Sequence, residues 1–182
     1  IVSKILPQLD RSNLFLIADS KSVADDLGTI IRGKKISIWK NTVDTENFKP
    51  IPLDKTKTDS APDKRLKVGL VATFAKWKGH ETFLKAAKQI TDMFGDAVRF
   101  FVIGGPVYQS SESQWSMEEL EKIAQSFGVK GAVKFIGFQN NIIEAYSDLD
   151  VVVHASTTPE PFGQVIIEAM ACGKPIVVAG HG

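Results

Sequence analysis

Apolar runs of four to eight residues alternate along the chain with stretches whose apolar positions recur at helical spacing, the pattern of repeated βαβ units around a parallel sheet. It predicts a strand over Leu14 to Ala18, a short helix capped by Ser20 that runs to about Ile31, and a strand over Ile36 to Trp39. From Asn41 to Lys64 the pattern dissolves into Pro50, Pro52 and Pro62 among Lys, Asp and Thr, which reads as a linker between domains. The alternation then resumes with a strand over Leu66 to Thr73 and a helix from about Gly79 whose Phe83, Leu84, Ala87, Ile90 and Phe94 share one face. A strand over Arg99 to Ile103 runs into Gly104-Gly105-Pro106. Ser116, with Glu119 three residues on, forms a capping box for a helix that closes at Gly128. A strand over Val133 to Ile136, a short helix near Ile142 to Tyr146, a strand over Leu149 to His154, a helix from Gly163 to Cys172 capped by Gly173, and a strand over Ile176 to Ala179 complete the series. The expected fold class is α/β: a Rossmann-like parallel sheet with helices on both faces.

Composition narrows this picture. With 182 residues, 43% of them hydrophobic and 24% charged, the chain has length for one sizeable core, or for one domain and part of a second. Its 22 Lys and Arg against 21 Asp and Glu leave a net charge of +1, so there is no basic field of the kind that draws nucleic acid or an anionic membrane, and any anion site must be local. A lone cysteine, Cys172, rules out an intrachain disulfide framework and fits a reducing compartment. No apolar run approaches the roughly 18 to 20 residues of a membrane span, and no signal-like segment opens the chain, so it reads as soluble and cytoplasmic. The opening residue Ile1 and the stop just past the strand Ile176 to Ala179 predict an excerpt cut at both ends.

The densest candidate for chemistry is Glu160-Pro161-Phe162-Gly163-Gln164-Val165-Ile166-Ile167-Glu168, between a strand end and a helix start, where α/β proteins place their ligands. Gly163 lets the backbone approach a ligand closely. The amides of Phe162, Gly163 and Gln164 would be unpaired donors at a helix N-terminus, suited to a phosphate. Glu160 and Glu168 flank that helix start. Carboxylates accept hydrogen bonds from the vicinal hydroxyls of a ribose or sugar, so the pair points to a ligand with both sugar and phosphate, although two solvated glutamates at this spacing would look the same.

The run from Asp150 to Val178 (DVVVHASTTPEPFGQVIIEAMACGKPIVV) closely resembles the E-x7-E segment of family 4 glycosyltransferases, retaining enzymes of the GT-B fold. Lys67 to Ala87 (KVGLVATFAKWKGHETFLKAA) is similar to that family's first strand, phosphate loop and helix, and Phe101 to Pro106 and Lys134 to Asn141 to its next two strand-to-loop segments. Ile38 to Pro50 is similar to the segment by which the family's first domain hands over to its second. The resemblance implies two Rossmann-like domains, the first for the acceptor and the second for a nucleotide-activated sugar. Residues 1–40 would be the tail of the first, 41–65 the linker, and 66–182 an incomplete donor-binding domain.

The resemblance further implies a role for each matching residue. Glu160 would lie near the donor sugar hydroxyls, Glu168 would hold the nucleotide ribose, and Lys78 would neutralise the diphosphate. Phe162, Gly163, Gln164 and Val165 would supply backbone donors under the sugar and diphosphate, and Phe138, Gln139 and Asn140 would form the loop that contacts the base. Where the family usually has Gly-Arg after its first strand, this chain has Ala72-Thr73, so Thr73 brings a hydroxyl where a cation is expected, and Lys76 is the nearby substitute. Asp148-Leu149-Asp150 spells D-x-D, a metal-carrying motif in a different glycosyltransferase fold. Here it precedes a buried strand with no further ligand at suitable spacing, and polar contacts at a helix end and a strand start are expected instead. His80, His154 and His181 form no metal pattern, and His154 reads as a packed or hydrogen-bonded structural residue. Cys172 reads as a small core residue.

The function implied is a metal-independent retaining transfer of a sugar from a nucleoside diphosphate sugar, a co-substrate rather than a cofactor, to a saccharide, lipid or small-molecule acceptor. How the acceptor attacks on the same face would be decided partly by groups of the first domain. The segment alone would bind donor without transferring it, and peripheral membrane contact would fall to the first domain. Two alternatives stay open: a sugar-nucleotide epimerase, which would need acid and base residues the motif does not supply, and a non-catalytic nucleotide-sugar binding module, motivated by Thr73. A dehydrogenase is disfavoured because no G-x-G-x-x-G follows the first strand of the second domain.

Overall fold

The computed structural model describes residues 15–51, 63–107 and 113–180. It opens with β1 (Leu16–Ala18), α1 (Lys21–Ile30) and β2 (Ile36–Ile38), in which β1 and β2 pair in parallel with Leu16 opposite Ile36. Ser20 caps α1 by accepting the Val23 amide at 3.2 Å. The expected strand beginning at Leu14 starts at Leu16; Leu14 lies outside the described residues.

The larger unit runs β3 (Leu66–Val71), α2 (His80–Phe94), β4 (Val98–Ile103), α3 (Met117–Ser126), β5 (Val133–Ile136), α4 (Ile142–Asp148), β6 (Val151–His154), α5 (Gln164–Ala171) and β7 (Ile176–Val178). Its five strands are all parallel, in the order β5-β4-β3-β6-β7. The chain therefore builds outward from β3 in one direction, returns, and builds outward from β6 in the other. The boundary between β3 and β6 is the switch point at whose C-terminal side open α/β sheets bind ligands.

Strand alternation explains why helices cover both faces. On β3 and β4, Leu70, Phe100 and Val102 enter one core with Phe83, Leu84 and Ala87 of α2 and Leu120 and Ala124 of α3. Their neighbours Val71 and Ile103 enter a second core with Tyr146, Val152, Ala169 and Cys172, against α4 and α5. Successive side chains point to opposite faces, so near-continuous apolar strands are what a sheet covered on both sides requires. Phe83 meets Phe100 edge-on with ring centroids 5.9 Å apart, which adds directionality to the first core.

Local signals survive intact. The capping box at α3 is complete, with Glu119 N–H donating to Ser116 Oγ at 3.1 Å and Ser116 N–H to the Glu119 carboxylate at 2.7 Å. Gly128 closes the helix at φ 73°. Several expectations shift. The strands expected over Ile36 to Trp39, Leu149 to His154 and Ile176 to Ala179 are shorter, at Ile36–Ile38, Val151–His154 and Ile176–Val178. The strand over Leu66 to Thr73 ends at Val71, which leaves Ala72 and Thr73 in the loop beyond it. The helix expected from Gly163 to Cys172 uses these two residues as its caps rather than its ends. Phe94, expected on the buried face of α2, is 61% exposed because it is the last residue of the helix, where the chain leaves through the 3₁₀ turn Gly95–Ala97.

The stretch read as a linker is ordered over 41–51: Asp44 accepts the Glu46 amide at 3.0 Å and the Asn47 side-chain amide at 2.6 Å, forming a tight turn. Phe48 then packs on the second core. Residues 52–62 of that stretch lie outside the described ones.

His80, the first residue of α2, is fully buried against the edge of Phe74. Burial lowers its pKa from 6.5 to about 4; the backbone of Ala75 opposes this only in part, since neither ring nitrogen reaches a hydrogen bond of good geometry, and the charge of Lys78 reinforces it. The folded protein thus holds His80 neutral while the unfolded chain protonates it. Its stabilising effect is full above pH 6.5 and is lost as the pH falls from 6.5 towards 4, by at most about 3 kcal/mol. Denaturant unfolding at stepped pH should show this slope, and His80→Gln should flatten it.

Candidate functional site

The site forms where the loops after β3 and β6 meet. Trp77 O accepts both the Thr157 amide at 2.8 Å and the Thr157 hydroxyl at 3.2 Å, which ties one loop to the other. Gly79 completes the contact: at φ 77° a Cβ would lie 1.8 Å from the Ala155 carbonyl oxygen, so only glycine fits. These contacts bring Lys78, from the 3₁₀ turn Lys76–Lys78, against Glu160 from the loop before α5.

Glu160 is the hub of the site. Lys78 Nζ donates to its Oε1 at 2.9 Å and to its Oε2 at 2.6 Å. Oε2 also accepts the Ser156 hydroxyl at 2.8 Å and lies 3.1 Å from His154 Nε2. The ion pair is largely shielded, with side-chain exposures of 18% for Lys78 and 13% for Glu160. Burial works to raise the pKa of the Glu160 carboxyl, but the hydrogen bonds from Lys78, Ser156 and His154 and the charge of Lys78 outweigh it and hold the group below its usual range. The Lys78 ammonium also rests 4.0 Å from the centre of the Trp77 ring, a second favourable contact for the cation.

Together these side chains border a cleft of about 80 Å³ that Ala72, Gly163, Gln164 and Val165 also line. Gly163 caps α5 at φ 82°, and a Cβ there would lie 2.7 Å from Ile166 Cδ1. The first amides of α5 have no partner within the helix, and its dipole favours negative charge at this end, so the cleft combines a cation with an anion-binding helix start.

Of the remaining candidates, Glu168 lies within α5 and accepts a hydrogen bond from the Tyr146 hydroxyl at 2.8 Å. Tyr146 is fully buried, and its phenol is pushed well above its usual pKa by burial and by the Glu168 charge, so it stays protonated and donates to Glu168. Phe162 is half-buried in the loop before Gly163, and Thr73 is half-buried after β3 next to Ala72. Phe138, Gln139 and Asn140 follow β5, two strands away from β3. They do not line the small cleft; Phe138 is 70% exposed and Gln139 borders a larger groove. That groove, about 460 Å³, lies against α4 and is lined near its N-terminal strand ends by Asp63, Lys67, Arg99 and Lys134, without the convergent polar contacts of the smaller site.

The D-x-D residues take structural positions: Asp150 accepts the Lys67 amide at 2.8 Å and donates its own amide to Lys67 O at 2.9 Å, pinning the start of β6 to that of β3. Asp148 closes α4. Among the described residues, no group of three or more His, Cys, Asp or Glu side chains is gathered closely enough to hold a metal ion. Lys76 lies over Trp115, its Nζ 4.8 Å from the ring centre. Cys172 is buried in the second core.

Three residues of this constellation carried weaker sequence signals. His154 was legible only as a structural histidine, and it is buried and hydrogen-bonded, yet its partner is Glu160. Ser156 falls two residues past it at the strand exit, a spacing that can return a side chain to the same side. Tyr146 looked like an ordinary helix residue, and only the fold shows what its hydroxyl meets.

Comparison with known proteins bears on this geometry. The chain belongs to the family described as glycosyl transferases group 1, whose model matches residues 54–182. It is 27% identical over 184 aligned residues to a D-inositol 3-phosphate glycosyltransferase of Corynebacterium urealyticum, covering 96% of this chain and 42% of that protein. The chain thus spans less than half the length of such curated relatives. Among solved structures, Anabaena HepE in complex with UDP-glucose matches at 28% identity with a TM-score of 0.76, over 92% of this chain and 45% of that one. Sucrose-phosphate synthase from Thermosynechococcus elongatus matches at 27% identity and a TM-score of 0.75, over 91% and 40%. The expected α/β class, with its parallel sheet and helices on both faces, is therefore the observed one, shared with glycosyltransferases of the GT-B type. No helix among the described residues is long and apolar enough to cross a membrane.

The Tyr146 contact yields a direct test. Tyr146→Phe keeps the ring and removes one donor to a carboxylate, which should cost about 1.5 to 3 kcal/mol of unfolding free energy. Denaturant unfolding of the two proteins measures it.

Proposed function

We propose that this chain is the donor-binding part of a metal-independent, retaining glycosyltransferase of family 4, which transfers a sugar from a nucleoside diphosphate sugar to an acceptor hydroxyl. The observation that carries this reading is the pairing of Lys78 with Glu160 at the start of α5, at the switch point of a sheet that belongs to the group 1 family. The likeness to HepE, solved with UDP and with UDP-glucose, supports a uridine nucleotide as the first donor to test.

The chemistry asked of these residues is leaving-group stabilisation. As the glycosidic bond to the diphosphate breaks, negative charge grows on the departing oxygen. The start of α5 favours such charge through its unpaired amides, and Lys78, beside it on Glu160, is within reach to add a cation. Glu160 orients the sugar through its hydroxyls. Glu168, held by Tyr146, takes the ribose hydroxyls, and Phe138, Gln139 and Asn140 form the loop towards the base. Thr73 contributes a neutral hydrogen bond where the resemblance places an arginine. Lys76, engaged over Trp115, is not directed by any contact towards Glu160. Residues 1–40 and 41–65 are assigned to the end of an acceptor domain and its connection, and 66–182 to the donor domain.

Two measurements on the full-length protein test this. Glu168→Ala should weaken UDP or GDP binding about 10- to 100-fold, the worth of a hydrogen bond to a charged acceptor, and unchanged affinity for both nucleotides would return Glu168 to a purely structural role. Turnover with a matched donor and acceptor should survive EDTA. Loss of activity restored by magnesium or manganese would reject the metal-independent mechanism.

A further inference from the structure

Glu160 is over-supplied with donors. A carboxylate that only had to neutralise Lys78 would need that one partner, yet two more side chains converge on the same oxygen, Oε2, while Oε1 is met by Lys78 alone among the described contacts. These two are also the better buried: Ser156 is 1% exposed and His154 6%. They touch each other as well, with Ser156 Oγ 3.2 Å from His154 Nε2. Because a carboxylate only accepts, His154 Nε2 carries the proton in this arrangement, and its Nδ1 is buried without a partner.

The arrangement matters once a donor arrives. A Lys ammonium has three protons, and here two contacts already go to Glu160. A diphosphate carries more charge than a carboxylate, so its arrival draws Lys78 away from Glu160. The Glu160 side chain, left alone with three rotatable bonds, would lose its orientation unless something else held it.

We propose that His154 and Ser156 are positioning residues that clamp Glu160 through Oε2 when Lys78 transfers to the donor diphosphate, which frees Oε1 to accept sugar hydroxyls. The inference rests on the donor-binding reading above and adds two residues to it. It makes Lys78 and Glu160 exchange partners on binding: ion pair without ligand, cation-to-phosphate and carboxylate-to-sugar with it. His154 and Ser156 touch no ligand themselves. They determine whether sugar recognition survives that exchange.

The test separates sugar recognition from nucleotide recognition in the full-length protein. UDP and UDP-glucose affinities are measured by calorimetry for the wild type, Ser156→Ala, His154→Leu and His154→Gln, the last of which keeps a donor near the Nε2 position. The ratio of UDP-glucose to UDP affinity is expected to fall about 10-fold or more in Ser156→Ala and His154→Leu, UDP alone to stay within about 3-fold, and His154→Gln to recover most of the ratio. An unchanged ratio, or an equal loss for UDP and UDP-glucose, overturns the proposal, the second because it marks general damage to the site. A crystal structure of Lys78→Met provides a ligand-free readout: Glu160 Oε2 should remain on Ser156 and His154, and a carboxylate swung away from them overturns the clamp. A wild-type protein that takes up none of UDP, UDP-glucose or GDP-mannose sinks the donor-binding reading instead, and the Lys78→Met structure then decides the clamp alone.

Discussion

The close approach of two backbone loops at the centre of the sheet sets everything else in this site. With 1.8 Å between the place of a Gly79 Cβ and the Ala155 carbonyl oxygen, the loop after β3 is seated directly on the loop after β6. Lys78 immediately precedes that contact, and Glu160 lies a few residues past it on the other side. An ion pair between residues 82 apart in sequence is thereby reduced to a local matter of side-chain reach. Had any side chain stood at position 79, the loops would separate and the charges would face solvent, where such a pair is worth little.

The same constraint explains why the site is polar but small. Parallel strands bury both faces, so the apolar runs of β3 and β6 are consumed by the two cores, and polar groups appear only where the strands end. His154 marks that transition: as the last residue of β6 it keeps the parity of Val152, which points into the second core, and so it turns towards the start of α5 rather than towards α2. Burying the Lys78 and Glu160 charges is tolerable because each has more than one partner, the carboxylate with three donor groups and the ammonium with a ring beneath it.

How far the sequence discloses this depends on the range of each interaction. The capping box of Ser116 and Glu119, the Ser20 cap and the alternation of strands and helices are written within a few residues of one another, and they read correctly. So do the structural roles of Asp150 and Cys172, since both follow from an adjoining strand or helix. β3 stops two residues before its pattern does, because Ala72 and Thr73 are as compatible with a strand as with a loop. Phe94 failed for the opposite reason, since helical periodicity says which face a residue shares but not whether anything still covers the last turn. The bond from Tyr146 to Glu168, and the three-way contact of Glu160, Ser156 and His154, require knowing where β6 sits beside β3 and how α4 packs on α5. No spacing in the chain states that.

The segment 41–51 is joined to the same framework by more than its covalent bonds. Phe48 lies against the Tyr146 ring at 6.4 Å between centroids, the Tyr146 hydroxyl is bonded to Glu168, and Gln164 at the head of α5 donates to the carbonyl of Thr42 at 3.2 Å. The segment that enters the larger sheet therefore braces Tyr146 as well as connecting, so the placement of the Glu168 carboxylate depends in part on the packing of a single pair of aromatic rings.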